Sequence, residues 1–233
     1  LAVKPYPDAW LGLALARLRG ARTVMDVDDD DGGYRGGALG FLTRALQAPA
    51  ALFAQAYSSH HPLLRARLAA RHGEKRVFTL EQGVDLSVFQ PRVEAPAMDA
   101  QVLRLAFTAH LNIACQLDVL LDAVGPWLRA HPQATLQIAG GGPAKARFQQ
   151  LAAPWGTQVQ FLGPCRPEEA AALLAQSHVS LSAYGPSEGN RYRVPMKVAE
   201  SLAVGTPVVS NLVPGLAPLA PFIYQATLDP VGF

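Results

Sequence analysis

Three cations crowd one short stretch. Arg191, Arg193 and Lys197 lie within Ser187–Glu200, with no acid between Glu188 and Glu200. Pro195 marks a helix start, where its missing N–H costs nothing. Cations beside a helix N-terminus suit an anion such as a diphosphate, which the dipole and free N–H groups also favour. Lys197 and Glu200 are three apart, so they share a helix face. The plainer reading is a surface ion pair contributing a few tenths of a kcal/mol.

A second candidate is Gly140-Gly141-Gly142-Pro143, between a strand and a helix. Glycines let backbone N–H groups approach a phosphate, but a tight strand-to-helix turn uses the same residues. The run matches neither a dinucleotide fingerprint nor a Walker loop. A third is the acid run Asp26–Asp31, interrupted only by Val27. Its carboxylates could hold a divalent cation or accept from sugar hydroxyls, although acid runs are more often solvated loops. Asp26 and Asp28, nearest the strand end, are the stronger candidates. His110 follows a strand, whereas His60 and His61 carry no assignment. No Ser-His-Asp or Cys-His arrangement is visible.

Strands and helices must bring these residues together. Strands are expected at 23–27, 76–80, 103–107, 135–139, 159–162, 179–182 and 207–210. Helices are expected at 9–19 (capped by Asp8), 39–52, 63–70, 117–128, 144–152, 167–176 and 195–204. Leu1–Val3 reads as a strand end, and 28–37 as a loop. Strict alternation with Val-, Ile- and Leu-rich strands points to parallel sheets buried on both faces. We expect one doubly wound α/β domain over 101–233 and part of another over 1–95, with a proline-containing linker ending near Ala100. Ligands of such sheets bind beyond the strands' carboxyl ends. The loops after Phe107, Ala139, Leu162 and Ser182 should therefore share one rim, which brings in Gly163 and Pro164.

Composition agrees with a folded domain. Half of the 233 residues are hydrophobic and 16% are charged, below the usual quarter or so. That excludes a disordered chain. The net charge of +2 demands neither nucleic acid nor acidic lipid as a partner. Two cysteines, Cys115 and Cys165, make neither a disulfide framework nor a zinc motif, so a reducing, cytoplasmic setting is the simplest reading. The uncharged stretch Ser201–Leu228 is too broken by Pro and Gly to span a membrane.

Four stretches taken in order resemble a known family. They are Leu80–Pro91 ("NGVD…F.P"), Leu136–Pro143 (a Gly-rich turn before Pro), Val159–Gly163 ("FLG") and Pro195–Val209 ("P.K..E..A.G.PVV"). Together the chain resembles retaining glycosyltransferases of the GT-B class, in the glycogen-synthase-like group 1 family. That resemblance implies two Rossmann-like doubly wound domains, the N-terminal one incomplete here, with Leu1 reading as a cut through it. It implies transfer of a sugar from a nucleotide-diphosphate sugar to an acceptor hydroxyl, with retention. The acceptor would be a saccharide, a lipid-linked molecule or a small molecule.

By position, Glu200 would bind the donor's ribose hydroxyls. Lys197, with Arg193, would face the diphosphate and stabilise charge on the departing phosphate. His110, Gly141, Gly142, Gly163, Pro164, Ser187 and Asn190 complete the donor side, with Asp26 and Asp28 on the acceptor side. No metal, cofactor or nucleic acid is implied, and peripheral membrane contact stays open. The chain departs from the family in three places. His110–Gln116 lacks the cations that many members carry there, Glu188 and Glu200 are twelve apart, and Gln82 stands where Asn is common. Two alternatives remain: a nucleotide-sugar epimerase of the same fold, and a non-catalytic transferase-like binding domain.

Overall fold

The structure, a computed structural model, describes residues 1–96 and 102–228. The chain forms two compact units. The first takes Leu1–Gln82, Pro186–Val194 and Val213–Gly215. The second takes the described residues of 83–185, 195–212 and 216 onward. The division falls at Gln82–Gly83, earlier than the 95–101 junction expected from composition. Residues 97–101, where the linker was expected to end, lie outside the described residues.

The first unit runs β1 (Ala2–Val3), α1 (Pro7–Leu18), β2 (Val24–Asp26), α2 (Asp31–Arg35), α3 (Gly37–Gln47), α4 (Ala50–Phe53), β3 (Ala56–Ser59), α5 (Pro62–His72) and β4 (Val77–Thr79). Its sheet is parallel, in the order β1-β2-β3-β4. The register aligns Ala2, Met25, Tyr57 and Val77 in one row. That row packs with Leu13 of α1 and with Ala50 and Ala54 at α4. These helices therefore cover one face of the sheet, as right-handed crossovers in one direction require.

Local chemistry explains where the expected elements differ. Asp8 lies in the first turn of α1, and Tyr6 holds the cap position. The expected helix 39–52 is broken at Ala48-Pro49 into α3 and α4. Within the expected loop 28–37, the Asp30 carboxylate accepts from the Gly33 N–H at 3.3 Å and starts α2. His61 caps α5, its Nδ1 accepting from the Leu63 N–H at 3.1 Å.

The second unit runs β5 (Leu103–Thr108), α6 (Leu117–Ala130), β6 (Ala134–Ala139), α7 (Lys145–Ala152), β7 (Val159–Gly163), α8 (Pro167–Ala175), β8 (Val179–Ser182), α9 (Met196–Val204), β9 (Val208–Ser210) and β10 (Ile223–Gln225). Its sheet is parallel, in the order β10-β9-β8-β5-β6-β7. Phe107, Leu136 and Ile138 are buried with the leucines of α6 and with Phe148. Ala106 faces the opposite core of Phe89, Leu174 and Val204. Both faces of the sheet are thus covered. The strand order reverses between β5 and β8, and crevices for ligands form at such a reversal.

Candidate functional site

The switch point of the second unit holds a cation. Lys197, one residue into α9, sets its Nζ 3.9 Å from the centroid of the Phe107 ring and 5.7 Å from that of Tyr184. Phe107 lies on β5 and Tyr184 follows β8, the two strands at which the order reverses. Aromatic faces attract a cation most where water is excluded. The Tyr184 loop is pinned from both sides. Asn211 accepts from the Tyr184 N–H and donates to its carbonyl, each at 2.8 Å. The Gln116 side chain accepts from the Gly185 N–H at 2.8 Å.

A cleft of about 480 Å³ opens beside it at the ends of β5, β6 and β7. Thr108–His110, Ala139–Gly142, Pro164 and Cys165 line it. His110, Gly141, Gly142 and Pro164 therefore meet in one cleft, which joins the loops after β5, β6 and β7; the loop after Ser182, expected on the same rim, is not among its lining residues. Gly163 adjoins them, its carbonyl accepting from the Gly140 N–H at 2.7 Å. The glycines also serve the fold. Gly140 and Gly142 have φ of 139° and 152°. A Cβ at either would strike the carbonyl of Ala109 or Leu111. The Leu111 N–H in turn donates to the Gly141 carbonyl at 2.8 Å. The tight-turn and ligand-approach readings thus fall on the same residues.

Glu200 is half-buried on α9, and burial raises its carboxyl above the ordinary Glu range, with Lys197 opposing the shift. Its charge is felt at Cys165 on the cleft wall, whose thiol is raised by burial first, then by Glu169 and Glu200. Cys165, Phe107 and Tyr184 were not among the expected site residues. Only tertiary proximity reveals them, since nothing in their local sequence marks a cleft wall or a cation platform. Pro195 sits at the cap of α9, one residue before the helix.

Ser187, Asn190 and Arg193 belong to the first unit. Asn190 lies in the 3-10 helix Gly189–Tyr192, with Ser187 before it and Arg193 at its C-cap. Ser187 Oγ accepts from the Asn190 N–H at 3.3 Å, and Arg193 donates to Asn190 Oδ1 at 3.4 Å. The segment is held by Glu188, paired with Arg44 at 3.3 Å, and by Tyr192, beneath Arg67 and edge-on to His61. The acid run lies in the same unit and is neutralised rather than merely solvated. Asp26 accepts from Ser58 Oγ at 2.6 Å. Lys4 lies within 3.3–3.7 Å of Asp28, Asp29 and Asp31. Burial lowers the Lys4 pKa, but the three carboxylates outweigh it and raise it well above the ordinary lysine range. Burial raises Asp28, with Lys4 opposing. Asp30 is buried between Arg44 and Arg67. Among the described residues, no cluster of His, Cys, Asp or Glu is arranged to hold a metal ion.

A doubly wound parallel sheet with a cation and a cleft at its switch point defines a Rossmann-like ligand-binding unit. Residues 103–220, half of the chain, match the family model described as glycosyl transferases group 1, and the chain belongs to that family. It is 35% identical over 146 residues to the GDP-mannose-dependent alpha-(1-6)-phosphatidylinositol dimannoside mannosyltransferase of Mycobacterium tuberculosis. That match covers 60% of this chain and 36% of the relative. It is 31% identical over 166 residues to the D-inositol 3-phosphate glycosyltransferase of Nocardioides, covering 60% and 34%. The chain thus spans about a third of the length of these relatives.

Among solved structures, Anabaena HepE in complex with UDP-glucose superposes with a TM-score of 0.67 at 15% identity, covering 91% of this chain and 59% of HepE. S. aureus TarM gives 0.66 at 12%, covering 83% and 37%. These likenesses bear out the expected fold of two parallel-sheet α/β units of GT-B type. No helix of the described residues is long and apolar enough to cross a membrane.

Proposed function

We propose that this chain carries the donor-binding part of a retaining glycosyltransferase, which moves a hexose from a nucleotide-diphosphate sugar to an acceptor hydroxyl. The observation that carries this reading is the Lys197 ammonium on its aromatic platform at the switch point. The bond between the sugar C1 and the diphosphate breaks, and the electron pair leaves with the nucleoside diphosphate. The acceptor oxygen bonds to C1, and its proton passes to the released phosphate or to water. Lys197 stabilises the charge that grows on the departing diphosphate. Glu200 accepts from the ribose hydroxyls. The rim of His110, Gly141, Gly142, Gly163 and Pro164 holds the rest of the donor. Asp26 and Asp28 stand on the acceptor side, which would take a saccharide, a lipid-linked or a small-molecule hydroxyl.

In this reading a fixed ammonium does what a divalent ion would otherwise do, so transfer should survive a chelator. The free thiols of Cys115 and Cys165 favour a cytoplasmic setting. The GDP-mannose of the mycobacterial relative's name and the UDP-glucose bound by HepE make these two donors the first to test.

Either donor should raise the melting temperature of the protein, because a ligand of the native state stabilises it. Lys197→Ala should lower transfer about a hundredfold while the circular dichroism spectrum of the apo protein stays that of the folded chain. Unchanged transfer by that variant would remove Lys197 from the mechanism. A donor altered at its sugar without any acceptor would point instead to an epimerase. Donor binding with no transfer to any acceptor would point to a binding domain.

A further inference from the structure

Gln116 holds a backbone conformation that its side chain does not favour. Among the described residues, Lys4 and Gln116 are the non-glycine residues with positive φ, and Gln116 lies in the left-handed region at φ 54°, ψ 38°. Glycine takes that region without a clash, whereas a Cβ there crowds the following carbonyl. The residue is the joint between the 3-10 turn Ile113–Cys115 and α6. Its N–H donates to the Ile113 carbonyl at 3.3 Å, and its carbonyl accepts from the Leu120 N–H at 3.2 Å. Its side chain makes no capping bond to α6. Instead Oε1 accepts from the Gly185 N–H at 2.8 Å, 69 residues further along the chain. Strain kept at one residue, with its side chain turned to a distant loop, points to a demand at that loop.

The bond grips a particular peptide. The Gly185 N–H and the Tyr184 carbonyl belong to one peptide group. Gln116 holds its N–H, and Asn211 Nδ2 donates to its carbonyl at 2.8 Å. Asn211 Oδ1 accepts from the Tyr184 N–H at 2.8 Å, which holds the preceding peptide group as well. With the peptide planes on both sides of Tyr184 fixed, its φ and ψ are fixed, and so is the direction of its Cα–Cβ bond. Both grips are anchored. Asn211 directly follows β9, and Leu117, Leu120 and Leu121 at the start of α6 are buried. Tyr184 and Phe107 are buried too, their ring centroids 5.7 Å and 3.9 Å from Lys197 Nζ. A cation's attraction to a ring depends on its place over the face. The Tyr184 backbone therefore sets part of the lysine's seat.

We propose that Gln116 is a positioning residue that acts through Tyr184 on Lys197. From its left-handed position it grips the 184–185 peptide and so fixes the aromatic seat that aims the ammonium. The consequence for transfer rests on the donor-binding reading above, in which Lys197 meets the charge on the departing diphosphate. A charge in that role must be aimed before the reaction, so a loosened seat lowers kcat more than it weakens donor binding. A mere link between α6 and the loop would act on stability and leave the contribution of Lys197 unchanged.

The test uses Q116G, which removes the acceptor and relieves the strain, and Q116M, which removes the acceptor but keeps the side-chain length and the strain. In protein labelled with carbon-13 at its lysines, the Lys197 ε-methylene protons lie upfield, shifted by the Phe107 ring, and are identified by their loss in Lys197→Ala. Both variants should move that resonance toward the position of exposed lysines, while the circular dichroism spectrum stays that of the folded chain. In turnover of GDP-mannose or UDP-glucose, read as release of the nucleoside diphosphate with water as acceptor, both should lower kcat about tenfold. The donor KM should change less than about threefold. Adding Q116G to Lys197→Ala should lower kcat no further, since the two changes act on one contact. An unmoved Lys197 resonance, a loss of kcat in Q116M alone, or an equal loss from Q116G with and without Lys197 overturns the proposal. Unchanged turnover by Lys197→Ala would instead remove the transfer reading, and the resonance would still decide whether Gln116 sets the seat.

Discussion

Under the proposed reading, Glu200 answers two demands that pull apart. A carboxylate that binds ribose hydroxyls must be ionised, yet burial on α9 disfavours its charge, and Lys197 offsets only part of that cost. Its folded-state pKa lies above the unfolded one. Below the ordinary Glu range it is protonated in both states and costs nothing. The cost grows as pH rises through that range and is complete above the folded pKa. Glu200→Gln should therefore raise the melting temperature at neutral pH, and the gain should vanish in acid. The same variant should weaken donor binding at neutral pH. Paired thermal melts and titrations across pH would show both effects. A variant that loses stability at neutral pH would contradict the assigned burial. Lys197 and Glu200 were legible in the sequence because their spacing and neighbours form a pattern. Phe107 and Tyr184 were not, because a cation platform exists only once β5, β8 and α9 have come together.

At the scale of elements, the turn after β6 shows why one motif supported two readings. Gly142 combines a positive φ with a carbonyl where a Cβ would be. Gly142→Ala should cost about 2–3 kcal/mol and narrow the cleft, lowering donor affinity as well. Gly156 also has a positive φ, of 53°, but faces open space. Gly156→Ala should cost about 1–3 kcal/mol and leave binding alone. Chemical denaturation of the two variants would separate strain from collision. Most elements of the second unit were legible because their strands are continuous apolar runs. β3 was missed because Ala56-Tyr57-Ser58-Ser59 holds one large apolar residue. Its serines are nonetheless buried, Ser58 on Asp26. β10 was missed because the prolines around it read as loop. The break of 39–52 at Pro49 was the cheaper error, since a proline one turn inside a helical pattern is a visible stop.

At the scale of the molecule, neither unit is one continuous stretch of chain. The first unit needs Pro186–Val194, whose Glu188 and Tyr192 meet Arg44 and Arg67. A fragment ending at Gln82 lacks those partners. It should melt at a lower temperature than the whole protein, and its amides in α3 and α5 should exchange faster. Equal protection in fragment and whole protein would show that the segment adds nothing. Composition alone could not reveal this arrangement, because 186–194 reads as an ordinary polar loop on the way to α9.

This threading constrains how such proteins can recombine. A single crossover near residue 83 would seem to exchange one half for a relative's. It would instead import a foreign 186–194 segment and set it against the resident Arg44, Arg67 and His61. Chimeras should tolerate the exchange only when Glu188 and Tyr192, or residues of like chemistry, travel with it. Specificity borrowed from a relative would therefore have to arrive as two separated pieces of sequence.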